Sequence, residues 1–287
     1  MRTEEKERAN SNRRKFWTIF RKNTAGVVGL IVAIIIVLAA VFAPQISRYS
    51  PWDNSFSTNL APCAEHWFGT DDLGRDIYAR TIYGTRVSII VGLLASLTSA
   101  LIGTVVGAIA GYSSKAVSAI LMKITEFFQI IPPFFLAVLI ATLFTPGLIG
   151  IVLIIGGLSW PSTARLVRAE FLSLREQEFV TAARSLGCRK SSIVFKEILP
   201  NAMPQVIVNT SLQAASAILS EATLNFFGLG DPSLVSWGKM LYDAQGLLRI
   251  APWASIYPGI AILLTVLSLN LLGDGLNDAM NPRLRRR

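Results

Sequence analysis

Charge is scarce in this sequence. Only 16% of its 287 residues are Asp, Glu, Lys or Arg, where a soluble domain carries about 25%. Hydrophobic residues reach 52%, and a chain so composed is not an all-soluble globule. Histidine occurs once, as His66, and cysteine twice, as Cys63 and Cys188. No nucleophile with its base and no metal set can be assembled from these residues, which excludes an intramembrane hydrolase. A glycine-rich phosphate loop is also missing. In "SLVSWGKM" Gly238 and Lys239 are present, but Ser233 stands where the first glycine belongs and Met240 where Ser or Thr belongs. The chain is therefore expected to be no enzyme, to bind no ATP by that route, and to hold no metal or cofactor of its own.

The charges that exist are clustered. None falls in 23–47, 87–114, 127–164, 198–220 or 250–273, and each stretch can cross about 30 Å of hydrocarbon at roughly 1.5 Å per helical residue. The 127–164 stretch is too long for one crossing, and Pro146-Gly147 marks a turn inside it. Extending its first half back to Ala116 places Lys123 and Glu126 one helical step apart, able to pair. The expected fold is all-α and polytopic, with six transmembrane helices at 24–44, 86–112, 116–143, 147–165, 202–226 and 252–273. A membrane barrel is excluded, because it would show alternating ten-residue segments instead of unbroken apolar runs.

Orientation follows from Lys and Arg outside the spans. With the N-terminus inside, 21 of the 27 fall on the inner side and 6 on the outer. Both termini are then cytoplasmic, and the net charge of +9 is anchoring against anionic lipid, with no need of a nucleic-acid partner. The segments are a basic N-terminal stretch (1–23), the first span (24–44), an outer loop (45–85), a five-helix core (86–273) containing an inner loop (166–200), and a basic tail (274–287). The first apolar run is too long, and the charged stretch before it too long, for a secretory leader. Cys63 outside and Cys188 inside cannot pair.

The inner loop is the informative part. In "EFVTAARSLGCRKSSIVFKEILPNAMP", Phe179, Ala182, Ala183 and Leu186 recur at i, i+3, i+4 and i+7, one apolar stripe on a short helix. Glu178, Thr181, Arg184 and Ser185 take the other side. Gly187 supplies a left-handed cap, Ser191 or Ser192 can cap a second helix to Leu199, and Pro200 and Pro204 lead into the fifth span. Such a helix either lies on lipid or docks on a protein.

"AARSLG" followed by "ILPN" resembles the EAA motif of permease subunits of ATP-binding cassette (ABC) importers. "HWFGTDDLGRDIYARTIYGTRVSIIVG", "LNFFGLG" and "LLGDGLNDAMNPRLRRR" resemble the dipeptide, oligopeptide and nickel branch, specifically the shorter, C-type permease. The resemblance covers the chain from about residue 24. It implies the type I importer permease fold in a bacterial cytoplasmic membrane and a non-catalytic role. The implied partners are a sister permease completing the pore, two ATPases that bind ATP and Mg, and an extracytoplasmic solute-binding protein. The loop becomes a coupling helix inserted into the ATPase through Glu178, Phe179, Thr181, Ala182, Ala183, Arg184, Leu186 and Gly187. Thr181 occupies the place of the motif's acidic residue, which shifts attention to Glu178. A self-sufficient secondary transporter is the competing class, but it should show internal repeats and several buried carboxylates.

Within the spans, Ser99, Gly103, Gly107 and Gly111 recur every four residues, a ridge for close helix approach. Pro132 and Pro133 are expected to kink the third span beside the translocation path. Glu221 is the single internal charge, near the outer face, and reads equally as a gate or a packing contact. In the outer loop, Thr70 is expected to cap a helix with Asp71 and Asp72 in its first turn and an Asp76–Arg80 pair along it, and His66 is expected to be an interfacial loop residue. By the resemblance this region, with Asp71, Asp72, Arg75 and Asp76, meets the binding protein. Peptides are the expected solute, with nickel or another small solute as the alternative.

Overall fold

The computed structural model describes residues 16–144 and 147–280, and these are mostly helical, with no strand among them. Residues 16–22 form a short helix whose Phe20 is buried against Gly275. Asn23 then caps α1 (Thr24–Val41), its side chain accepting from the Gly26 N–H, and donates to Asp278 at 2.7 Å. The first span was expected to reach residue 44 but ends at Val41, followed by the short α2 (Ala43–Ile46). Pro44 is the cause. It has no N–H to offer the carbonyl of Ala40, and Arg86 takes that carbonyl instead at 2.6 Å, with Val41 O at 3.0 Å.

The second span is longer than its apolar run. α3 covers Ile77–Tyr112, 36 residues, so it begins nine residues before the expected membrane boundary at 86. α4 (Lys115–Ile130) and α5 (Pro133–Phe144) are separate helices bent 72° at Pro132-Pro133. The third span is therefore broken outright rather than kinked. Lys123 and Glu126 form no ion pair among the described residues. α6 (Leu148–Leu174) runs nine residues beyond its expected end. After α7 (Glu178–Ser185) comes the turn α8 (Lys190–Ser192), which Arg189 caps without a side-chain bond, so neither Ser191 nor Ser192 serves as the cap. A π-helical turn, Ile193–Ile198, leads straight into α9 (Leu199–Phe226). α10 (Trp237–Asp243) follows, and α11 (Trp253–Met280) closes the bundle.

Four of these helices, α1, α3, α6 and α11, are long and apolar enough to cross a membrane, and a fifth if α4 and α5 count as one broken span. The expected sixth, α9, meets the length at 28 residues but not the apolarity. Its Asn, Gln, Ser and Thr content is the reason, and those side chains bear on function below.

Three buried clusters hold the bundle together, two of them on opposite faces of the last turns of α9. One gathers Ile77, Ile218, Trp237 and Met240 where the start of α3 meets α9 and α10. A second joins Val91, Ala95, Ile151, Ile155 and Leu224. A third, the inner cluster named for the inner loop (166–200) that supplies most of it, joins Val167, Phe171, Val180, Ile193 and Ile198. The ridge on α3 works as its spacing suggests. A Cβ at Gly103 would sit 2.5 Å from Thr163 Cβ, one at Gly107 2.5 Å from Ala164 O, and one at Gly111 2.5 Å from Phe171 Cβ. α3 and α6 thus approach too closely for any side chain at those three positions. Apolar residues such as Ile35, Leu101 and Leu263 cover the outside of the bundle, as suits hydrocarbon.

Candidate coupling surface and path

α7 is a two-faced helix, and its faces divide differently from the four-residue stripe read in the sequence. Val180 is fully buried in the inner cluster, with Ala183 packed partly against it. Phe179, Ala182 and Leu186 point away and are exposed, Leu186 at 83%. Val180 is the residue the sequence reading missed. The signal was available, since Val180 and Ala183 are also three apart and define a second apolar line one residue round. Glu178, Thr181, Arg184 and Ser185 are all exposed.

The end of α7 is locked. Gly187 has φ +75°, its N–H reaches Arg184 O at 3.0 Å, and Cys188 N–H reaches Ala183 O at 3.1 Å. These are the two bonds of a Schellman cap. They turn the chain back toward the bundle and leave Leu186 at the tip. The π-helical turn then brings Ile193 and Ile198, five apart, onto one buried face, because its bonds span i to i+5. Phe195 stands outward at 67% exposure. Phe179, Leu186 and Phe195 are thus exposed apolar side chains of one short segment, whose base is fixed by Val180, Ile193 and Ile198 in the buried cluster.

α9 carries the second feature. Asn209, Gln213, Ser216, Ser220 and Thr223 lie at 3–4 residue spacing on one face, and none is buried. Gln213 donates to Ser162 at 2.7 Å and Asn209 to Thr163 at 3.0 Å, both on α6. Ser216, Ser220 and Thr223 satisfy their protons on the carbonyls one turn back. Every member is neutral, and all can accept a further hydrogen bond. At membrane depth such groups are tolerated only against protein or a water-filled space. At the C-terminal end of this face Phe227 meets Phe134, ring centroids 6.0 Å apart, so Pro132 and Pro133, both exposed, stand beside the same line.

Glu221 lies on a different side of α9. It is wholly buried, accepting from Ser88 Oγ at 3.1 Å and from Asn225 Nδ2 at 2.7 Å. It fastens α9 to α3 and does not face the neutral polar line.

The outer loop departs from its expected form. Thr70 caps no helix. It is buried, donates to Ser57 O and accepts from the Leu60 N–H, and the helix begins only at Ile77 with Asp76 as its cap. Asp76 pairs through its other oxygen with His66 at 2.8 Å, and forms no ion pair with Arg80 among the described residues. His66 is not an interfacial residue but a buried one, between the Tyr49 and Phe56 rings. Asp71 is buried and bonded to Arg75, and Asp72 is exposed. Arg80 turns to Asp71 and Asp243 instead. Among the described residues no group of His, Cys, Asp and Glu gathers that could hold a metal.

The chain matches the family model described as "Binding-protein-dependent transport system inner membrane component" over residues 103–286. It also matches that of the "N-terminal TM domain of oligopeptide transport permease C" over 11–62. It is 39% identical to the oligopeptide transport system permease protein OppC of Bacillus subtilis, across 93% of this chain and 88% of that protein. To the dipeptide transport system permease protein DppC of Alkalihalophilus pseudofirmus it is 39% identical, across 92% and 88%. With the glutathione transport system permease protein GsiD of Pectobacterium atrosepticum the figures are 37%, 95% and 91%. Its fold is similar to a chain of the inward-facing MetNI methionine ABC transporter, with TM-score 0.60, 18% identity, and coverage of 71% of this chain and 98% of that one. The chain belongs to the family of binding-protein-dependent transport inner membrane components, the non-catalytic permease subunits of ABC importers.

Proposed function

We propose that this chain is one half of the permease of a bacterial peptide importer, working with a sister permease, two ATPases that bind ATP and Mg, and an extracytoplasmic solute-binding protein. Both termini are cytoplasmic, and α9 crosses the membrane as the sixth span. The observation that carries the reading is the rigidly based apolar group of Phe179, Leu186 and Phe195 on the inner side. Exposed apolar side chains on a Schellman-locked helix, in a chain without a phosphate loop, are suited to a groove on a separate motor. Movement imposed there passes through Val180 into the inner cluster and on to α6 and α9, a rigid-body route to alternating access.

Peptide as solute is supported by the oligopeptide and dipeptide permeases among the relatives and by the chemistry of α9. Asn209, Gln213, Ser216, Ser220 and Thr223 offer neutral hydrogen-bonding groups, which match backbone amides of any sequence and hold no fixed charge against one. They are well placed to line the path shared with the sister permease, with Phe134 and Phe227 at its outer end. The test is reconstitution of the complete complex in proteoliposomes with its binding protein. Peptide-stimulated ATP hydrolysis and uptake are expected, both lost with Leu186→Asp while the four subunits still co-purify. Uptake by this chain alone, without ATPases, overturns the reading in favour of a self-sufficient carrier.

A further inference from the structure

Arg75, Arg80 and Lys239 share one site with Asp71, Asp72 and Asp243, so that cluster is balanced in charge. Arg86, further along α3, is not. Its Nε donates to Ala40 O at 2.6 Å and its Nη2 to Val41 O at 3.0 Å, and it joins no ion pair among the described residues. Two neutral carbonyls cap the end of α1 but leave a full positive charge on the guanidinium. The donors of Nη1 have no acceptor among the described residues.

That charge stands at the head of an apolar surface. Residues 87–114 carry no charge. Ile90, Leu93, Leu97 and Leu101 follow Arg86 at i+4, i+7, i+11 and i+15, one stripe along α3, and all are exposed. Beside the two carbonyls that Arg86 holds, α1 exposes Leu38, Val41 and Phe42. On the other side of the guanidinium, Arg86 Cζ lies 5.5 Å from the centroid of the Tyr83 ring, and Tyr83 meets the exposed Trp52 edge-on at 5.9 Å. Tyr and Trp gather where hydrocarbon gives way to lipid head groups. Along α3 the order is therefore aromatic pair, uncompensated cation, apolar stripe. A phospholipid presents the matching order of head group, phosphate and acyl chains.

We infer that Arg86 holds the phosphodiester of a membrane phospholipid where the end of α1 meets α3, with an acyl chain along Ile90, Leu93, Leu97 and Leu101. The guanidinium edge left free by Ala40 and Val41 offers N–H donors to phosphate oxygens. The inference needs α1 and α3 as spans and does not depend on the solute. In the orientation proposed above, the lipid belongs to the outer leaflet.

The experiment places the complete transporter in nanodiscs with a trace of phosphatidylglycerol carrying a photoreactive diazirine beside its phosphate, and maps the cross-linked peptides by mass spectrometry. Saturable labelling is expected at 40–42 and 83–90, displaced by unlabelled phosphatidylglycerol and indifferent to inorganic phosphate. Ile256 and Ile260, exposed near the start of α11 in the charge-free stretch 250–273, report lipid that only surrounds the bundle. In Arg86→Gln the labelling at 83–90 is expected to fall about tenfold, and in Arg86→Lys, which keeps a cation, to fall less. Mapping and competition use the unaltered complex, so a folding defect in Arg86→Gln does not remove the test. Labelling at 83–90 no more saturable than at Ile256 and Ile260 overturns the inference and leaves Arg86 as a cap for α1. Displacement by inorganic phosphate overturns it in favour of a free anion, and undiminished labelling in Arg86→Gln overturns it as well.

Discussion

Ser88 on α3 donates to the buried carboxyl of Glu221 on α9 at 3.1 Å, and Asn225 donates to its other oxygen at 2.7 Å. This is the one place where a carboxyl group is enclosed within the described helices of the bundle core, and it ties α9, which carries the polar line on another face, to α3. Removing the group while leaving its donors strands two buried polar groups, each costing about 1–3 kcal/mol. Glu221→Ala is therefore expected to lower the thermal midpoint of the detergent-purified complex by several degrees. Glu221→Gln, which keeps both an acceptor and the shape, is expected to lower it less. Equal midpoints for unaltered protein and Glu221→Ala would show that the tie between α3 and α9 carries no weight.

Close packing of α3 on α6 gives a second expectation. At Gly107 an added Cβ meets the Ala164 carbonyl at 2.5 Å and Val167 Cβ at 2.7 Å, and backbone cannot move aside as a flexible side chain can. Gly107→Ala is expected to cost about 1–3 kcal/mol and Gly107→Leu to prevent accumulation of monodisperse protein, as read by fluorescence-detected gel filtration. At Gly157, where a Cβ meets nothing within 4 Å, alanine is expected to be neutral. The same behaviour at both glycines counts against the ridge.

The inner loop separates backbone strain from contact. A Cβ at Gly187 meets nothing within 4 Å, yet φ is +75°, so Gly187→Val is harmful through conformation alone, by roughly 1–2 kcal/mol. Ala183→Trp overpacks the buried side against Val180, whereas Ala182→Trp enlarges only the exposed side. We expect Ala182→Trp to abolish stimulated ATP hydrolysis with no loss of thermal stability, and Ala183→Trp to lose both. Normal coupling in Ala182→Trp would falsify the assignment of that face to the ATPase.

These contrasts mark how far the sequence could be read. Helix existence was legible because charge-free runs and glycine ridges are one-dimensional signals, as α1, α3 and α11 show. Helix ends were less so, since α3 begins at a capping Asp76 that competes with Thr70 for the same role, and only the buried His66 decides between them. The break at Pro132-Pro133 was visible as two residues, but not its 72° bend, which depends on what α5 packs against. On α7 the four-residue stripe straddled two faces. Separating exposed Phe179, Ala182 and Leu186 from buried Val180 required the inner cluster, which draws on residues from Val167 to Val206. The Arg80–Asp243 pair was illegible because its members lie 163 residues apart.

Topology is testable through the two cysteines, both exposed in the chain. Cys63 lies in the outer loop, where the His66 N–H reaches its sulfur at 3.4 Å, and Cys188 follows Gly187 at the base of the coupling surface. In intact cells an impermeant maleimide is expected to label Cys63 only. Cys188 is expected to react once the membrane is opened, and faster when the ATPases are absent, because they cover its neighbourhood. Labelling of Cys188 from outside overturns the orientation drawn from the 21 inner and 6 outer cations.

The neutral line on α9 makes a claim about water. Ser216 is exposed and flanked along its face by Gln213 and Ser220, whereas Leu101 on α3 is 70% exposed among apolar neighbours. With α9 as the proposed sixth span, both positions would lie at membrane depth, so exposure alone does not distinguish them. Their surroundings do, because hydrocarbon accepts Leu101 but leaves the polar line without partners, and a hydrated path does the reverse. In a background with Cys63 and Cys188 replaced by serine, Ser216→Cys is expected to react with a small charged thiol reagent. Leu101→Cys is expected to stay unreactive, because thiolate forms and charged reagents reach a site only through water. Peptide-loaded binding protein with ATP is expected to change the Ser216→Cys rate severalfold, since alternating access opens and closes that water to each side. Equal reactivity at the two positions, or a Ser216→Cys rate indifferent to turnover, removes α9 from the path and returns its polar face to static contact with the neighbouring permease.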